Sequence, residues 1–384
     1  MTTTVPRHGD SRNVTSLIDF ALDSLPAMRL ADGVFCFERR VGHSAPVGRS
    51  PRYTLMVELG LLRAHAAGYA VPFDLDELDA VAWRELEAGE LTPGDIGLML
   101  WIDARRNGEG GAELADRLEG ALAGNGGLGA RLGMELGWIV TGLAHHVAAG
   151  GSRAGGRLLS EALDQLLVIN RAQSSLFRHF GDAGWRRRFP NFATQIYSVL
   201  ALAVVARHGL DDRARPAAMA TADRLLEAQL PDGGWPWLYD VERGTVVERY
   251  EIYSVHQDAM APMALLELSE VTGDPRLLDA AARGLSWIHG GNELGADMVD
   301  RSAGLVLRSI RRKRAFDRLW AGSKTAASLA GLSTPGTTAR LTELNPTDRP
   351  YHFGWVLEAW CGREDVLSQE SIPEATRARP VVVQ

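Results

Sequence analysis

The chain contains little cysteine and no long apolar run. Its 384 residues include two cysteines, Cys36 and Cys361, and each stands in an apolar setting. Such cysteines are more typical of buried thiols than of a disulfide or a metal site. No apolar stretch approaches the roughly 20 residues that a membrane span requires, and the polar residues 1–10 lack the apolar core of a signal peptide. We therefore expect a cytoplasmic protein that is not an integral membrane protein.

An excess of positive charge is also absent. The formal net charge is -7, whereas proteins that bind nucleic acids present a broad basic surface to the phosphates. The glycine-rich fingerprints of dinucleotide and nucleotide sites are missing as well, because the run at 124–129 does not follow a strand. We expect no nucleic-acid partner and no cofactor.

Strand patterns are scarce, and two kinds of helical segment alternate along the chain. Short strand candidates occur only at 34–37 and 245–247, within loops. Six segments carry their charges on one face, which is typical of helices half exposed to solvent: 14–25, 75–89, 113–123, 156–171, 215–230 and 275–289. Six others are apolar on nearly every side and are therefore predicted to be buried: 53–65, 94–104, 134–147, 192–206, 256–269 and 350–361.

This alternation predicts an all-α fold, an (α/α)6 barrel in which six exposed helices surround six buried ones. An open helical solenoid is the alternative, but no polar capping hairpin stands at either end. We expect a single toroid domain at 13–367 between flexible tails at 1–12 and 368–384. In such a barrel the N-termini of the inner helices converge on one mouth. Their free N–H groups favour an anionic or strongly polar ligand there.

A short sequence motif recurs, in which a Gly/aromatic turn leads through a loop to a polar cluster at the start of an apolar helix. We find it at 32–37 with 52–54, at 182–185 with 191–195, and at 232–237 with 253–258; residues 349–355 open one more such helix. Degenerate repetition of this kind is typical of repeated helical hairpins. It also collects polar groups at equivalent helix starts.

The third copy carries a resemblance to a known family. Gln229 followed by Asp232-Gly233-Gly234-Trp235 resembles the QW repeat of the terpenoid cyclases, which implies an α/α toroid. In squalene-type cyclases an Asp-x-Asp-Asp motif opens the next inner helix, whereas this chain has His256 roughly where the proton-donating aspartate would stand. An imidazolium is a much weaker acid than that carboxylic acid. The zinc-ligand pattern of the related protein prenyltransferase β subunits is not matched, so we expect no metal.

The polar helix starts supply the candidate site. His256 suits acid–base work near neutral pH, and Asp258 could orient an imidazole. The candidate catalytic residues are His256, Asp258, Tyr253 and His352. The candidate substrate-binding residues are Arg52, Tyr53, Gln195, Trp235, Trp237, Gln257, Arg301, Arg308, Arg311 and Tyr351. The alternative is structural: Gln257 and Asp258 cap a helix, His256 lies in the core, and the basic run 300–314 is a solvated rim helix.

Three functions remain open at this stage. The (α/α)6 barrel resembles the scaffold of many glycoside hydrolases, polysaccharide lyases and sugar epimerases. A mouth with histidine, arginine and aromatic groups fits a small-molecule or glycan substrate with an anionic group. A carbohydrate-active enzyme using acid–base chemistry is therefore the first hypothesis, with any of Glu58, Asp95, Glu135 and Glu358 as a second catalytic carboxyl. A terpenoid-cyclase-like enzyme with an altered motif and a non-catalytic binding platform are the alternatives.

Overall fold

The protein is an (α/α)6 barrel, described here from a computed structural model. The structure describes residues 11–43, 45–313 and 341–367. The predicted tails and the end of the basic run, at Arg314, fall mostly outside these ranges, although the first helix already begins at Ser11. No helix in the described ranges is long and apolar enough to cross a membrane.

Six inner helices form a closed ring, in which each packs against the next and the last packs against the first. They are α2 (Pro51–Ala66), α4 (Pro93–Arg106), α6 (Gly133–Ala148), α8 (Phe192–Arg207), α10 (Ala261–Thr272) and α12 (Pro350–Trp360). A π-helical turn, His256–Met260, precedes α10. These helices are apolar all round because both the ring interior and the outer layer cover them.

Six outer helices cover this ring. They are α1 (Ser11–Ser24), α3 (Leu75–Glu87), α5 (Gly111–Gly124), α7 (Arg153–Asp164), α9 (Ala214–Ala228) and α11 (Pro275–Ile288). The outer helices α3, α5, α7, α9 and α11 each pack on the inner helix that precedes them in the chain. Helix α1 packs on α12, so helices from the two ends of the chain close the barrel. The predicted order of exposed and buried helices is thereby confirmed. The predicted helix 156–171 ends instead at Asp164 and continues as a π-helical turn, Gln165–Asn170.

Glycines set the close approach of inner helices. A Cβ on Gly60 of α2 would overlap the carbonyl group of Gly354 on α12, and a Cβ on Gly142 of α6 would overlap that of Gly97 on α4. A methyl group at any of these positions would push two backbones apart. The ring diameter therefore depends on glycine at these two crossings.

Short strands connect the helices at the mouth of the barrel. The three-stranded antiparallel sheet has the order β4 (Ile252–Tyr253), β7 (Ser309–Arg312) and β8 (Thr342–Asn345). The antiparallel pairs are β1 (Arg39–Arg40) with β9 (Thr347–Asp348), β2 (Leu238–Asp240) with β3 (Thr245–Glu248), and β5 (Val299–Asp300) with β6 (Leu305–Val306). The strand candidate at 245–247 is confirmed in β3. Residues 34–37 contribute only an isolated bridge, between Phe35 and Arg29.

The recurring Gly/aromatic turn has a common structure. The backbone N–H of its aromatic residue donates a hydrogen bond to a polar side chain in the first turns of the next inner helix. The three pairs are Phe35 with Thr54 (3.0 Å), Phe177 with Gln195 (2.8 Å) and Trp235 with Gln257 (3.0 Å). The recurring motif therefore supplies the hydrogen bond that fastens each of these three mouth loops to an inner helix.

The second copy of this turn lies earlier than the sequence suggested. The sequence placed it at 182–185, but the fastened aromatic residue is Phe177, and the tryptophan of 182–185 is 66% exposed. Ser175 has a φ of 72° and occupies the place that Gly33 and Gly233 occupy in the other copies, with φ of 86° and 92°. A non-glycine residue rarely adopts this conformation, so the copy carries no glycine signal.

Candidate functional site

A cavity of about 200 Å³ opens at the mouth of the barrel, at the N-terminal ends of the inner helices. Its lining residues are mostly aromatic, cationic or methionine: Arg52, Tyr53, Met56, Met134, Trp138, Asn191, Ala193, Tyr197, Trp237, Tyr253, His256, Met260, Arg308, Arg349 and Tyr351. Seven of the predicted site residues thus meet around one space: Arg52, Tyr53, Trp237, Tyr253, His256, Arg308 and Tyr351. The volume is below the roughly 300–1,000 Å³ of sites for drug-sized ligands, so it suits a ligand about as large as one sugar ring.

Arg52 is already paired within the protein. Its guanidinium donates to Asp95 (Nε–Oδ1 2.5 Å) and to Thr92 (3.0 Å), and its Nη2 lies 3.3 Å from a Glu135 oxygen. The same group lies over the ring of Trp138. Asp95 in turn closes a capping box with Thr92 at the start of α4. Two carboxylates thus balance Arg52, which leaves it little charge to offer a ligand.

Arg308 and Arg349 differ from Arg52 in this respect. The Arg308 guanidinium lies 5.0 Å from the ring centre of Tyr253, and that of Arg349 lies 4.1 Å from the ring centre of Phe37 while Nη1 donates to the Tyr53 hydroxyl (2.6 Å). Within the described ranges no carboxylate lies within 4.0 Å of either group. Arg308 Nη1 and Arg349 Nε are buried and have no hydrogen-bond partner there. Among the residues that the structure describes, neither of these two cations in the cavity has a counter-ion.

His256 lies in a box of aromatic rings. Its imidazole is parallel to the Trp237 indole (6.0 Å, 8°) and lies 4.9 Å from the ring of Phe192 and 5.2 Å from that of Tyr253. The residue is 4% exposed, and Nδ1 has no hydrogen-bond partner among the described residues. A ring nitrogen is thus unoccupied in a side chain that lines the cavity.

The charge state of this imidazole follows from its surroundings. Burial, the Arg308 guanidinium and the His352 imidazolium together lower the pKa of His256 to about 3. All three disfavour a positive charge on the ring. His256 is accordingly neutral at physiological pH, and an anion placed beside Arg308 would raise its pKa. The neighbouring phenol stays protonated, since burial and Glu251 raise the pKa of Tyr253 to about 12.

His352 and Asp258 lie behind the cavity wall rather than in it. His352 Nε2 lies 2.7 and 2.9 Å from the two Asp258 oxygens, and Nδ1 lies 3.6 Å from Asp348. Asp348 also accepts hydrogen bonds from the backbone N–H groups of Val306 and Arg349, each at 2.7 Å. This buried triad joins three segments of chain, those that carry His256, Arg308 and Arg349.

His352 is the positively charged member of this triad at neutral pH. Burial alone would lower the pKa of His352, but Asp258 and then Asp348 outweigh burial and raise it to about 10. An imidazolium that faces two carboxylates at neutral pH has no free nitrogen to accept a substrate proton. In this geometry Asp258 and His352 contact each other, and neither lines the cavity.

Three predicted binding residues have structural contacts instead. Gln195 is fully buried and exchanges hydrogen bonds with the backbone N–H and carbonyl group of Phe177. Gln257 accepts from the Trp235 N–H and donates to the Tyr253 carbonyl (2.9 Å). Trp235 itself is fully buried against a neighbouring ring. All three lie outside the cavity lining, and the side-chain amides of Gln195 and Gln257 are engaged in fastening the mouth loops.

The arginines of the basic run 300–314 likewise differ in whether they line the cavity. Arg308 lines the cavity, whereas Arg301 donates to Ser16 (2.8 Å) on the outer helix α1 and Arg311 pairs with Glu343 (3.0 Å) across β7 and β8. The segment forms the hairpin β5–β6 and strand β7 rather than the rim helix of the alternative interpretation. Side chains alternate along extended chain, so only some of these arginines can face the cavity.

The four candidate carboxylates also lie outside the lining. Glu135 and Asp95 flank Arg52, and Glu358 pairs with Arg105 (2.8 Å) deeper in the barrel. Glu58 is fully buried, neither of its oxygens has a partner in the described chain, and burial raises its pKa well above the ordinary range. Among the described residues no aspartate or glutamate lines the cavity, and no three histidine, cysteine or acidic side chains are grouped to hold a metal ion.

Sequence reasoning missed several lining residues, of which Arg349 is the most informative. It precedes Pro350 and Tyr351 at the start of α12, as Arg52 precedes Tyr53 at the start of α2. An arginine at the opening of an inner helix was therefore a readable signal. Met56, Met134, Trp138, Tyr197 and Met260 gave none, because apolar residues within a buried helix look alike wherever they point.

Comparison with known proteins gives likeness of fold. Neither a protein-family model nor a curated protein sequence matches the chain. Among solved structures it is similar to a sugar epimerase from a ruminal bacterium, with a TM-score of 0.59, 13% identity, and coverage of 91% of this chain and 98% of the other.

Two further structures give the same result. The cellobiose 2-epimerase of Bacillus thermoamylovorans matches with a TM-score of 0.61 and 10% identity over 92% of this chain and 100% of that one. The unsaturated glucuronyl hydrolase of Bacillus sp., described as degrading glycosaminoglycan, matches with a TM-score of 0.60 and 15% identity over 91% and 96%. At these identities the likeness shows the barrel fold, over nearly the whole of each chain.

Proposed function

We propose that this protein is a carbohydrate-active enzyme that binds one anionic sugar in the mouth cavity and transfers a proton at a carbon next to its carboxylate. The observation that carries the proposal is that Arg308 and Arg349, for which the described part of the chain supplies no counter-ion, lie around one cavity with the neutral imidazole of His256. The reaction class is a lyase or an epimerase.

The two arginines favour an anionic ligand. A half-buried guanidinium for which the described residues supply no carboxylate is costly to hold, and a ligand carboxylate that accepts from it recovers that cost. The surrounding rings of Trp237, Tyr253 and Tyr351 suit the C–H faces of a sugar. Phenol hydroxyls at the same wall, on Tyr53 and Tyr253, can exchange hydrogen bonds with sugar hydroxyls.

His256 is the group best suited to accept the proton. Abstraction next to a carboxylate needs a base with a free lone pair and cations that stabilise the developing negative charge. Burial is the largest cause of the low imidazole pKa, and the Arg308 guanidinium is the next. A substrate carboxylate at Arg308 would offset this second cause and raise the pKa. The substrate itself would therefore bring His256 towards the range in which it works as a base.

The cavity is less suited to hydrolysis by paired carboxylates. That mechanism needs two carboxyl groups on opposite sides of the scissile bond, roughly 5 to 9.5 Å apart. No described carboxylate lines this cavity. A lyase or an epimerase is accordingly favoured over a two-carboxylate hydrolase, although both epimerases and a hydrolase share the barrel.

One observation favours a second candidate, a terpenoid-cyclase-like enzyme. The cavity has six tyrosine and tryptophan rings and three methionines, which suit a hydrocarbon chain, and its arginines suit a diphosphate. Against it, Asp258 of the altered motif faces the protonated His352 and lies behind the wall. A buried carboxylate in such an ion pair has no proton to donate to an alkene.

The test combines binding with proton exchange. A thermal-shift screen would include glucuronate, galacturonate, mannuronate and sugar phosphates in one panel, and geranyl and farnesyl diphosphate in the other. A ligand that binds the native state raises the melting temperature. The uronates that bind would then be incubated in D₂O and examined by NMR for deuterium at the carbon next to the carboxylate, and for eliminated or epimerised products.

We expect stabilisation by at least one uronate and deuterium incorporation that His256→Gln slows by about 10² to 10⁴-fold. His65→Gln is the matched control, because His65 is an exposed histidine at the opposite end of α2. Exchange that survives in His256→Gln would refute the assigned base. Stabilisation by the prenyl diphosphates alone would replace the proposal with its rival.

A further inference from the structure

Phe37 is a large apolar side chain that the fold holds at the surface. It lies in the loop between α1 and α2 and is 40% exposed. The backbone N–H groups of Phe37 and Glu38 both donate to the Val47 carbonyl, each at 3.0 Å. The ring is thus exposed from a pinned stretch of chain rather than from a loose one.

The loop opposite is shaped around this side chain. Gly48 has a φ of 68°, and a Cβ at that position would lie 2.9 Å from the Cβ of Phe37. A side chain on residue 48 would therefore both strain the backbone and displace the phenylalanine. Exposure of an aromatic ring costs solvation free energy, and here two features of the loop maintain it.

Phe37 continues the wall of the cavity outward. Its ring stacks on Tyr53 (5.7 Å, 17°), which in turn contacts Tyr351 (4.7 Å) inside the cavity. The Arg349 guanidinium lies 4.1 Å from the Phe37 ring centre and donates to the Tyr53 hydroxyl. Aromatic side chains in mutual contact therefore extend from the cavity to the solvent, with the Arg349 guanidinium beside them.

We propose that Phe37, Tyr53 and Arg349 form a second subsite, which binds the sugar ring joined to the anionic sugar in the cavity. The cavity holds about one ring, so a second ring must lie at its opening, where the phenylalanine offers a flat apolar face. The substrate is then a disaccharide or a longer acidic glycan rather than a free uronic acid. This inference rests on the proposed function.

The test compares affinities by isothermal titration calorimetry. The probes are the free uronate that gives the largest thermal shift and the two disaccharides in which glucose is joined to its reducing or its non-reducing side. A stacked ring should make one disaccharide bind about three- to tenfold more tightly than the free acid. Phe37→Ala should bring that ratio to about one, and Phe37→Tyr should restore it.

Val47→Ala is the matched control, since it trims an exposed apolar side chain of the same loop and keeps the Phe37 ring. It should leave the ratio unchanged. Equal binding of the free acid and both disaccharides by the wild-type protein, or an unchanged ratio in Phe37→Ala, would overturn the subsite and leave the proposed function standing. No binding of any uronate or disaccharide would instead refute the proposed function, and the subsite with it.

Discussion

The buried triad of His352, Asp258 and Asp348 predicts a distinctive dependence of stability on pH. The pKa of His352 is raised to about 10 in the folded chain and lies near 6.5 in an unfolded one. A raised pKa means that protonation favours the folded state. The stabilisation is therefore fully present below about pH 6.5 and is lost as the pH rises through about 10.

The magnitude follows from one proton. Between pH 7 and pH 9 the folded chain retains a proton on His352 that the unfolded chain has released. At about 1.4 kcal/mol per pH unit, the triad's contribution to the free energy of unfolding falls by about 3 kcal/mol over this interval. Removing one partner of a buried pair costs about 3–5 kcal/mol, so the effect is a large part of the triad's whole contribution.

The assay is urea unfolding followed by tryptophan fluorescence at pH 7, 8 and 9. His352→Gln should be less stable than the wild type by about 3–5 kcal/mol at pH 7, and this gap should narrow by about 3 kcal/mol at pH 9. Differences between the two proteins cancel the titration of groups that do not interact with His352. In His65→Gln, which alters an exposed histidine, the gap should stay constant. Parallel curves for wild type and His352→Gln would show that the triad does not hold the proton assigned to it.

Two further outcomes separate ligand binding from architecture. Arg349→Gln should weaken uronate binding by about 10- to 100-fold in calorimetry, since a hydrogen bond to a charged group is lost. Arg52→Gln should mainly lower the free energy of unfolding, by about 3 kcal/mol, because it removes the cation that pairs with Asp95. Weaker uronate binding in Arg52→Gln and lower stability in Arg349→Gln would contradict the assignment of Arg349 as the cation that binds the uronate. Gly354→Ala should cost at least about 3 kcal/mol in urea unfolding, because its Cβ meets the backbone of α2; a loss below about 1 kcal/mol would show that the crossing yields easily.

The barrel could be predicted because burial alone dictates the composition of its helices. An inner helix such as α8 is covered on all sides and must be apolar all round, while an outer helix such as α3 keeps its charges on one face. Helix order and closure follow from that alternation. The predicted helix bounds differ from those of the structure where a π-helical turn replaces an α-helical end, as before α10. The same residues suit both conformations.

The candidate site could be predicted only in part. His256 and Tyr351 stand at inner-helix starts and Arg308 in the basic run 300–314, and all three line the cavity. Other polar residues at inner-helix starts, such as Gln257, do not. The partnership of Asp258 with His352 joins residues 94 positions apart, and no local pattern reveals whether such a pair faces a ligand or each other. Sequence shows which side chains are polar, but not which polar groups the protein itself satisfies.

The contact between α2 and α12 has a consequence for how the protein folds during synthesis. The Arg349–Tyr53 hydrogen bond joins residues 296 positions apart, so the two walls of the cavity come from opposite ends of the polypeptide. Contacts so distant in sequence form late in folding, because the intervening loop must be closed first. During synthesis the first wall therefore waits for nearly the whole chain to emerge. A ligand that contacts both walls would stabilise the closed ring, which forms in the last step of folding. Ligand binding would therefore show that the ring has closed.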